Sequence, residues 1–96
     1  MKYVTIENDT LTIAVKKHYK FSITKEVDSE IRTAYQNGCT KAIVDFQDTW
    51  TLDSSALRQL VGVRNHVHPE NFSARNARGP VLQVLRSNNF DSWLSA

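Results

Sequence analysis

The sequence contains a single cysteine, Cys39, among its 96 residues. One thiol cannot form an internal disulfide, and it cannot supply the several cysteine ligands of a structural zinc site. Cys39 directly follows Gly38, so we interpret it as a structural residue at a turn between a helix and a strand. We therefore expect no disulfide, no metal site and no cofactor.

Long apolar runs are also missing. No segment is apolar for long enough to cross a membrane, and Glu7 and Asp9 interrupt the N-terminal residues before a signal-peptide core could form. With only 3 glycines and 2 prolines, the chain has no low-complexity linker that would divide it. We expect a single domain over residues 1–96, in the cytoplasm and without a membrane partner.

The net charge of +2 is too small to make nucleic-acid binding the first expectation. The second half of the chain is nevertheless mildly basic, because residues 54–96 hold five arginines against only two acids, Glu70 and Asp91. These arginines could favour an acidic protein partner, or they could lie on solvated helix faces. We favour solvated helix faces and expect no nucleic-acid partner.

The N-terminal segment has the alternation of a β-hairpin. Residues 2–7 and 11–17 alternate between apolar and polar side chains, with residues 8–10 between them, which predicts two strands with one buried face. Residues 17–21 then form a predicted polar connection. His18 in this connection has no second histidine or cysteine nearby, so we interpret it as a surface residue.

A first helix is predicted after this connection. Its apolar positions recur at three and four residues, and they are Ile23, Val27, Ile31, Ala34 and Tyr35. Ser22 is the predicted N-cap, and Asn37 with Gly38 is the predicted end.

The rest of the chain alternates between strands and helices. Residues 41–46 are nearly all apolar and predict a central strand covered on both faces, and residues 54–67 predict a second helix that ends before Pro69. Residues 71–74 are a predicted fourth strand, followed by a third helix capped by Asn76. An apolar tail over residues 90–94 is expected to seal the core.

The start of the second helix carries two overlapping signals. Asp53 is the predicted N-cap, and Leu52 and Leu57 stand at the two positions of a hydrophobic staple. Ser54 and Ser55 then occupy the first two helical positions, where neither hydroxyl is needed for capping. One hydroxyl is therefore free for another purpose.

The exposed face of this helix is predicted to begin at Ser55. At about 100 degrees per residue, it comprises Ser55, Arg58, Gln59, Gly62, Asn65 and His66. Gly62 in mid-helix could allow close approach of another chain, or it could be a tolerated glycine. Trp50, in the predicted loop over residues 47–52, could anchor that loop on the helix or contact a partner.

With the strand Ala42–Phe46, the Asp53-Ser54-Ser55 turn and the following Leu57, Leu60, Val61 and Gly62, the chain resembles the STAS domain family, in particular its stand-alone bacterial anti-sigma factor antagonists. The order of elements fits along almost the whole chain. The resemblance implies an α/β fold, with a mixed sheet of four to five strands and helices packed on one face. Ala56 departs from the family pattern, which usually has glycine there, and this leaves the fit to a kinase open.

The resemblance also implies a function and a site. In the family, the second serine of the turn is phosphorylated by a partner kinase, which assigns the phosphoacceptor to Ser55, with Ser54 as the second choice. The expected partners are a serine protein kinase that acts as an anti-sigma factor, released on phosphorylation, and a serine phosphatase. The expected partner contacts are Thr49, Trp50, Ser54, Arg58, Gln59 and Gly62.

Other functions remain open from the residues themselves. The chain could be a phosphorylation-independent subunit or sensor, in which residues 47–53 bind a larger assembly or a small ligand. An enzyme is the weakest alternative, because His18, His66 and His68 fit no triad order or nucleophile-elbow motif. We expect no catalytic residue and no small-molecule substrate.

Overall fold

A computed structural model describes residues 1–94 of the chain. Its strands are β1 (Val4–Glu7), β2 (Thr10–Ala14), β3 (Lys17–Tyr19), β4 (Lys41–Asp45), β5 (Thr49–Leu52) and β6 (Phe72–Arg75). Its helices are α1 (Phe21–Gln36), α2 (Ser54–Val67) and α3 (Gly79–Ser87), with short 3₁₀ turns at Pro69–Asn71 and Asp91–Trp93. The predicted hairpin, the predicted fourth strand and all three predicted helices are confirmed, and α2 has the predicted bounds.

Four strands form a mixed sheet in the order β1-β2-β4-β6. The β1–β2 pair is antiparallel and the other two pairs are parallel. The register aligns Val4, Ile13, Val44 and Ala74 across the sheet, and all four are at most 2% exposed. This row forms the floor of the core, and α1 and α2 pack on it.

The opposite face of the sheet is open. The next row across the strands is Thr5, Thr12, Ile43 and Ser73, and each is exposed or half-buried. The prediction that β4 is covered on both faces is therefore wrong, since Ile43 lies on the open face. The apolar run of this strand reflects its position between two other strands rather than a second layer of helices.

The structure contains a second, smaller sheet that the sequence did not predict. The predicted connection over residues 17–21 contains β3, and the predicted loop over residues 47–52 contains β5. These strands pair in parallel, with Tyr19 opposite Leu52. Both strands are only three to four residues long. β3 shows no alternation, and the alternation in β5 covers only four residues and does not match its burial, since the two end residues are buried and the two central ones are exposed.

Two predicted helix caps are wrong. The first helix begins at Phe21 after Lys20, so Ser22 lies inside it, and no side chain of its own segment caps it. The third helix begins at Gly79, and Asn76 donates its side-chain N–H to Asp45 instead, at 2.9 Å. At the start of α1, the Phe21 N–H donates to Asp53 on another segment, whereas Asn76 is drawn away from α3 by Asp45.

The core is closed by the helices and by the C-terminal tail. Val27, Ile31 and Ala34 of α1 are buried as predicted. Trp93 is also buried; its ring stacks on Phe90, with ring centroids 4.2 Å apart. The expected sealing role of the tail is confirmed for the described residues. Within residues 1–94, no helix is both long and apolar enough to span a membrane.

Glu30 on α1 accepts backbone hydrogen bonds at the start of the edge strand β1. Its Oε1 accepts hydrogen bonds from the backbone N–H groups of Tyr3 and Val4, at 2.8 and 3.0 Å. These bonds join residues 26 and 27 positions apart, so they fix α1 against the edge of the sheet. Val4 is 2% exposed, so the Glu30 carboxylate supplies an acceptor to an N–H group on a buried residue.

We predict that Glu30→Ala lowers the free energy of unfolding by about 1 to 3 kcal/mol, because two backbone donors lose their acceptor. Urea denaturation measures the loss, and amide exchange at Tyr3 and Val4 locates it. Glu26→Ala, an exposed position on the same helix, is the control and should change stability by less than about 0.5 kcal/mol. Equal effects of the two substitutions would contradict the assignment.

Candidate functional site

The candidate site lies where the small sheet leads into two helices. β3 runs through Lys20 into α1, and β5 runs through Asp53 into α2. The two strands are parallel, so both helices begin at the same end of the molecule. A backbone hydrogen bond of 3.1 Å from the Asp53 N–H to the Tyr19 carbonyl joins the two connections.

The Asp53 carboxylate caps both helices. Its Oδ1 accepts from the N–H of Ala56 at 3.0 Å, which confirms Asp53 as the N-cap of α2. Its Oδ2 accepts from the N–H of Phe21, also at 3.0 Å, at the first residue of α1. One negative charge therefore faces the positive ends of two helix dipoles.

The surroundings of this carboxylate lower its pKa. Burial acts to raise the pKa of Asp53, but hydrogen bonds from the backbone N–H groups of Ala56, Phe21 and Ser55 outweigh it and hold the pKa below its ordinary value. Asp53 is consequently ionised at neutral pH. Leu52 and Leu57, the two predicted staple residues, are both buried beside it.

Ser54 and Ser55 occupy the first turn of α2 without capping it. Ser54 is exposed, and Ser55 is half-buried. Neither hydroxyl has a hydrogen-bond partner among residues 1–94, and Asp53 rather than either serine caps the helix. Ser55 is thus less exposed than the helical wheel predicted, although its hydroxyl is not used in the fold.

Ser55 faces a shallow groove between α1 and α2. The groove has a volume of about 320 Å³. It is lined by Phe21, Thr24, Lys25, Asp28, Ser55, Arg58 and Gln59. Phe21 is 75% exposed, so one wall of the groove is an aromatic ring in contact with solvent.

Gln59 holds the floor of this groove in place. Its Oε1 accepts from the buried Tyr19 hydroxyl, and its Nε2 donates to the Thr24 carbonyl at 2.7 Å. Burial raises the pKa of Tyr19, and Asp28 and Asp53 raise it further, so its hydroxyl remains a donor. Gln59 therefore acts first as a brace between the two helices, and its amide has little freedom to contact a partner.

The residues predicted from β5 divide into one buried and one exposed side chain. Thr49 is 5% exposed, and its hydroxyl donates to the Val15 carbonyl, so it cannot serve as a partner contact. Trp50 is 58% exposed, with the His18 ring edge-on at 5.9 Å and the Lys17 Nζ 5.7 Å from its centroid. The ring contacts that the structure gives Trp50 are therefore with β3, and most of its side chain is accessible to a partner.

The predicted residues farther along α2 are accessible. Arg58 and Gly62 are both exposed. A Cβ atom built at Gly62 would have no neighbour within 4 Å, so packing within the chain does not require glycine there. By contrast, Ala56 is completely buried, and its methyl group points into the core.

Phe21 was missed as a residue of the site. The sequence placed it in a connection before the first helix, and its exposure of 75% was not foreseen. One indication in the sequence that Phe21 belongs to a site is that it is one of two aromatic residues, with Tyr19, in the short and otherwise polar segment 17–21. Nothing in the local sequence indicates that its N–H group binds a carboxylate 32 residues away.

A second cavity lies at the carboxyl ends of β2 and β4. Its volume is about 340 Å³, and it is lined by Lys2, Tyr3, Ala14, Val15, Lys16, Asp45, Gln47 and Asp48. It includes the first part of the segment that the sequence proposed as a ligand-binding loop. Among the described residues, no group of three or more histidine, cysteine or acidic side chains is arranged to bind a metal ion.

We predict that Asp53→Ala lowers the free energy of unfolding by about 2 kcal/mol, because both helices lose a cap worth roughly 1 kcal/mol. Asp53→Asn keeps one acceptor and should lose less. Urea denaturation compares these variants with Ser55→Ala, which should change stability by less than about 0.5 kcal/mol. A loss in Ser55→Ala as large as that in Asp53→Ala would show that Ser55 supports the helix.

The lowered pKa of Asp53 predicts a pH dependence. A lowered folded-state pKa adds stability above the unfolded-state pKa of about 3.9, and this stability is lost as the pH falls through the folded-state value. The stability advantage of the natural chain over Asp53→Asn should therefore be constant near neutral pH and shrink below about pH 4. Urea midpoints at several pH values measure it, and an advantage that stays unchanged in acid would contradict the prediction.

Comparison by sequence identifies no relative, since the chain matches no protein-family model and no curated protein. Solved structures do match. The anti-sigma factor antagonist SpoIIAA in its unphosphorylated form superposes with a TM-score of 0.81 over 96% of this chain and 84% of that chain, at 18% identity. SpoIIAA of Bacillus in its phosphorylated form gives a TM-score of 0.73 over 96% of this chain and 86% of that chain, at 17% identity.

The protein TM1081 of Thermotoga maritima gives the same result. Its crystal structure superposes with a TM-score of 0.81 over 96% of this chain and 81% of that chain, at 17% identity. Each of these superpositions covers 96% of this chain. The predicted α/β fold is therefore confirmed, and the chain has the STAS-like fold of the anti-sigma factor antagonists.

Proposed function

We propose that this protein is an anti-sigma factor antagonist that acts by binding, and that phosphorylation of Ser55 switches its binding off. Its partner would be a serine protein kinase that also acts as an anti-sigma factor, and a serine phosphatase would restore the unmodified form. The observation that carries the proposal is the Ser55 hydroxyl, which has no hydrogen-bond partner among residues 1–94 and lies beside a cap that Asp53 already provides.

The fold supports the general role. The matched structures include SpoIIAA in an unphosphorylated and a phosphorylated form, and both superpose on this chain with TM-scores above 0.7. A fold that accommodates both forms is compatible with a signal carried by a surface charge. We propose that Ser55 is the residue that carries this charge here, with Ser54 as the second choice.

A switch of this kind follows from electrostatics. Phosphorylation adds between one and a half and two negative charges at neutral pH, next to the ionised Asp53. A partner surface that fits a neutral hydroxyl would then have to desolvate an anion, which is costly unless a new counter-charge is present. Since about 1.4 kcal/mol corresponds to a tenfold change in affinity, a penalty of about 3 kcal/mol reduces binding roughly a hundredfold.

The proposed contact surface surrounds Ser55. From the predicted contacts we retain the accessible residues Trp50, Ser54, Arg58 and Gly62, and we add Phe21. Thr49 and Gln59 are excluded as direct contacts, because their polar groups bind within the chain. Phe21 and Trp50 are both exposed aromatic residues, and such residues supply much of the binding energy at interfaces.

We propose binding rather than catalysis. The hydroxyl of a serine nucleophile needs a base within hydrogen-bond reach. His18 Nδ1 lies 2.7 Å from the Thr51 hydroxyl, and the His66 ring stacks on Tyr35 at 3.8 Å, so both rings have other partners.

The cavity at the ends of β2 and β4 favours a second candidate function, a sensor of a small ligand that does not depend on phosphorylation. About 340 Å³ is within the range of ligand pockets, and Tyr3 and Val15 give it an apolar floor. Gln47 and Asp48 connect it to β5 and hence to Trp50. Partner binding that is unchanged by substitution of Ser55 but altered by substitution of a residue in this cavity would support the sensor.

We predict that the partner kinase and ATP phosphorylate the chain at Ser55, and that the product binds the kinase about a hundredfold more weakly. Mass spectrometry maps the site, and calorimetry with purified phosphoprotein and unmodified protein measures the two affinities. Ser55→Ala should bind but remain unmodified.

Ser54→Ala is the matched control, since it removes the neighbouring hydroxyl and should still be phosphorylated. Modification of Ser54 alone, or equal affinities of the two forms, would overturn the assignment of Ser55. Equal affinities together with binding altered by Tyr3→Ala would support the sensor instead.

A further inference from the structure

The groove beside Ser55 contains two basic side chains without acidic partners. Lys25 on α1 and Arg58 on α2 both line it, and both are exposed. The ion pair that the structure describes within residues 1–94 joins Arg32 to Asp28 at 2.9 Å, so neither Lys25 nor Arg58 forms an ion pair with a described carboxylate. Their charges are available to an anion in the groove.

The positions of the two cations relative to Ser55 are set by the helices. Arg58 follows Ser55 by three residues on α2, a spacing that places side chains as neighbours on one helix face. Lys25 approaches from the other wall. The carbonyl of the preceding residue, Thr24, accepts a hydrogen bond from Gln59 Nε2 at 2.7 Å, and this bond joins the two helices next to Lys25.

The N-terminus of α2 is not free to bind an added anion. Asp53 already accepts the N–H of Ala56 at 3.0 Å and also attracts that of Ser55. A phosphoryl group on Ser55 would therefore need its counter-charge from side chains. Two acidic groups oppose it, but Asp28 is paired with Arg32, and the Asp53 charge is directed at two backbone N–H groups.

We propose that Lys25 and Arg58 form a cradle that binds the phosphoryl group of phosphorylated Ser55. The proposal rests on the proposed function, because it takes Ser55 as the phosphoacceptor. Charge-assisted hydrogen bonds from both cations to the phosphoryl oxygens link α1 to α2 across the groove. Phosphorylation then also neutralises two positive charges that the unmodified surface presents to a partner.

The test does not need a kinase. Phosphoserine is incorporated at position 55 of the full chain during synthesis, and ³¹P NMR follows its second ionisation, which ordinarily has a pKa of about 6. Nearby cations favour the dianion and lower this pKa. We expect Lys25→Gln and Arg58→Gln each to raise it, by roughly half a unit for groups as exposed as these.

Two controls separate a cradle from a general effect of charge. Lys41→Gln removes an exposed lysine at the first residue of β4, which does not line the groove, and it should leave the phosphoserine pKa unchanged. Phosphoserine placed at position 54 should not respond to Lys25→Gln. Equal pKa values in the unsubstituted phosphoprotein, Lys25→Gln and Arg58→Gln would overturn the cradle, as would an equal response at position 54.

This result is distinguishable from failure of the proposed function. If no kinase modifies Ser55 but the phosphoserine pKa responds as expected, the cradle stands and the switch is wrong. If phosphorylation weakens partner binding but the pKa does not respond, the switch stands and the cradle is wrong.

Discussion

A single carboxylate, that of Asp53, holds together the part of the structure on which the candidate site depends. Its two oxygens accept from the first turn of α2 and from the first residue of α1, each at 3.0 Å. α1 has no side-chain cap in its own segment, so this shared acceptor sets where that helix begins. The parallel pairing of β3 with β5 brings the two helix starts close enough for one residue to serve both.

This arrangement separates the residues that maintain the fold from those available for signalling. Asp53 provides the cap, Leu52 and Leu57 are buried beside it, and Gln59 braces the helices through Tyr19 and Thr24. Because these residues carry the local stability, Ser55 can gain a charged group without the loss of a bond that the fold requires. Under the proposed function, a phosphoryl group on Ser55 would change the surface without removing a hydrogen bond that holds the sheet or the helices.

The sequence predicted the parts of the structure that have local causes. The staple and the cap at Asp53 lie within five residues of each other, and they defined both the start of α2 and the position of Ser55. The missed features join distant segments: the β3–β5 pair, the bond from Phe21 to Asp53 across 32 residues, and the bonds from Glu30 to the edge strand. Such bonds leave no periodic pattern, and at Ser22 and Asn76 a local capping preference lost to them.

Contacts between distant segments also limit how well the partner surface can be predicted, residue by residue. A helical wheel assigns each residue to a face, but it does not show what a neighbouring segment places against that face. Gln59 was predicted to be exposed and is instead bonded to α1 and β3, and Thr49 was predicted in a loop and is instead buried. Phe21 and Trp50 show the converse, since apolar rings that a sequence pattern would place in the core are 75% and 58% exposed.

The alanine at position 56 can be understood from its burial. The resemblance to the STAS family implies glycine there, and the substitution left the fit to a kinase open. In the structure the Ala56 side chain is completely buried, and its N–H group is held by Asp53. A partner that approaches Ser55 cannot touch this methyl group unless the core opens. The effect of alanine is therefore internal: it favours the helix by about 1 kcal/mol relative to glycine and fills space under the first turn, which makes the start of α2 more rigid.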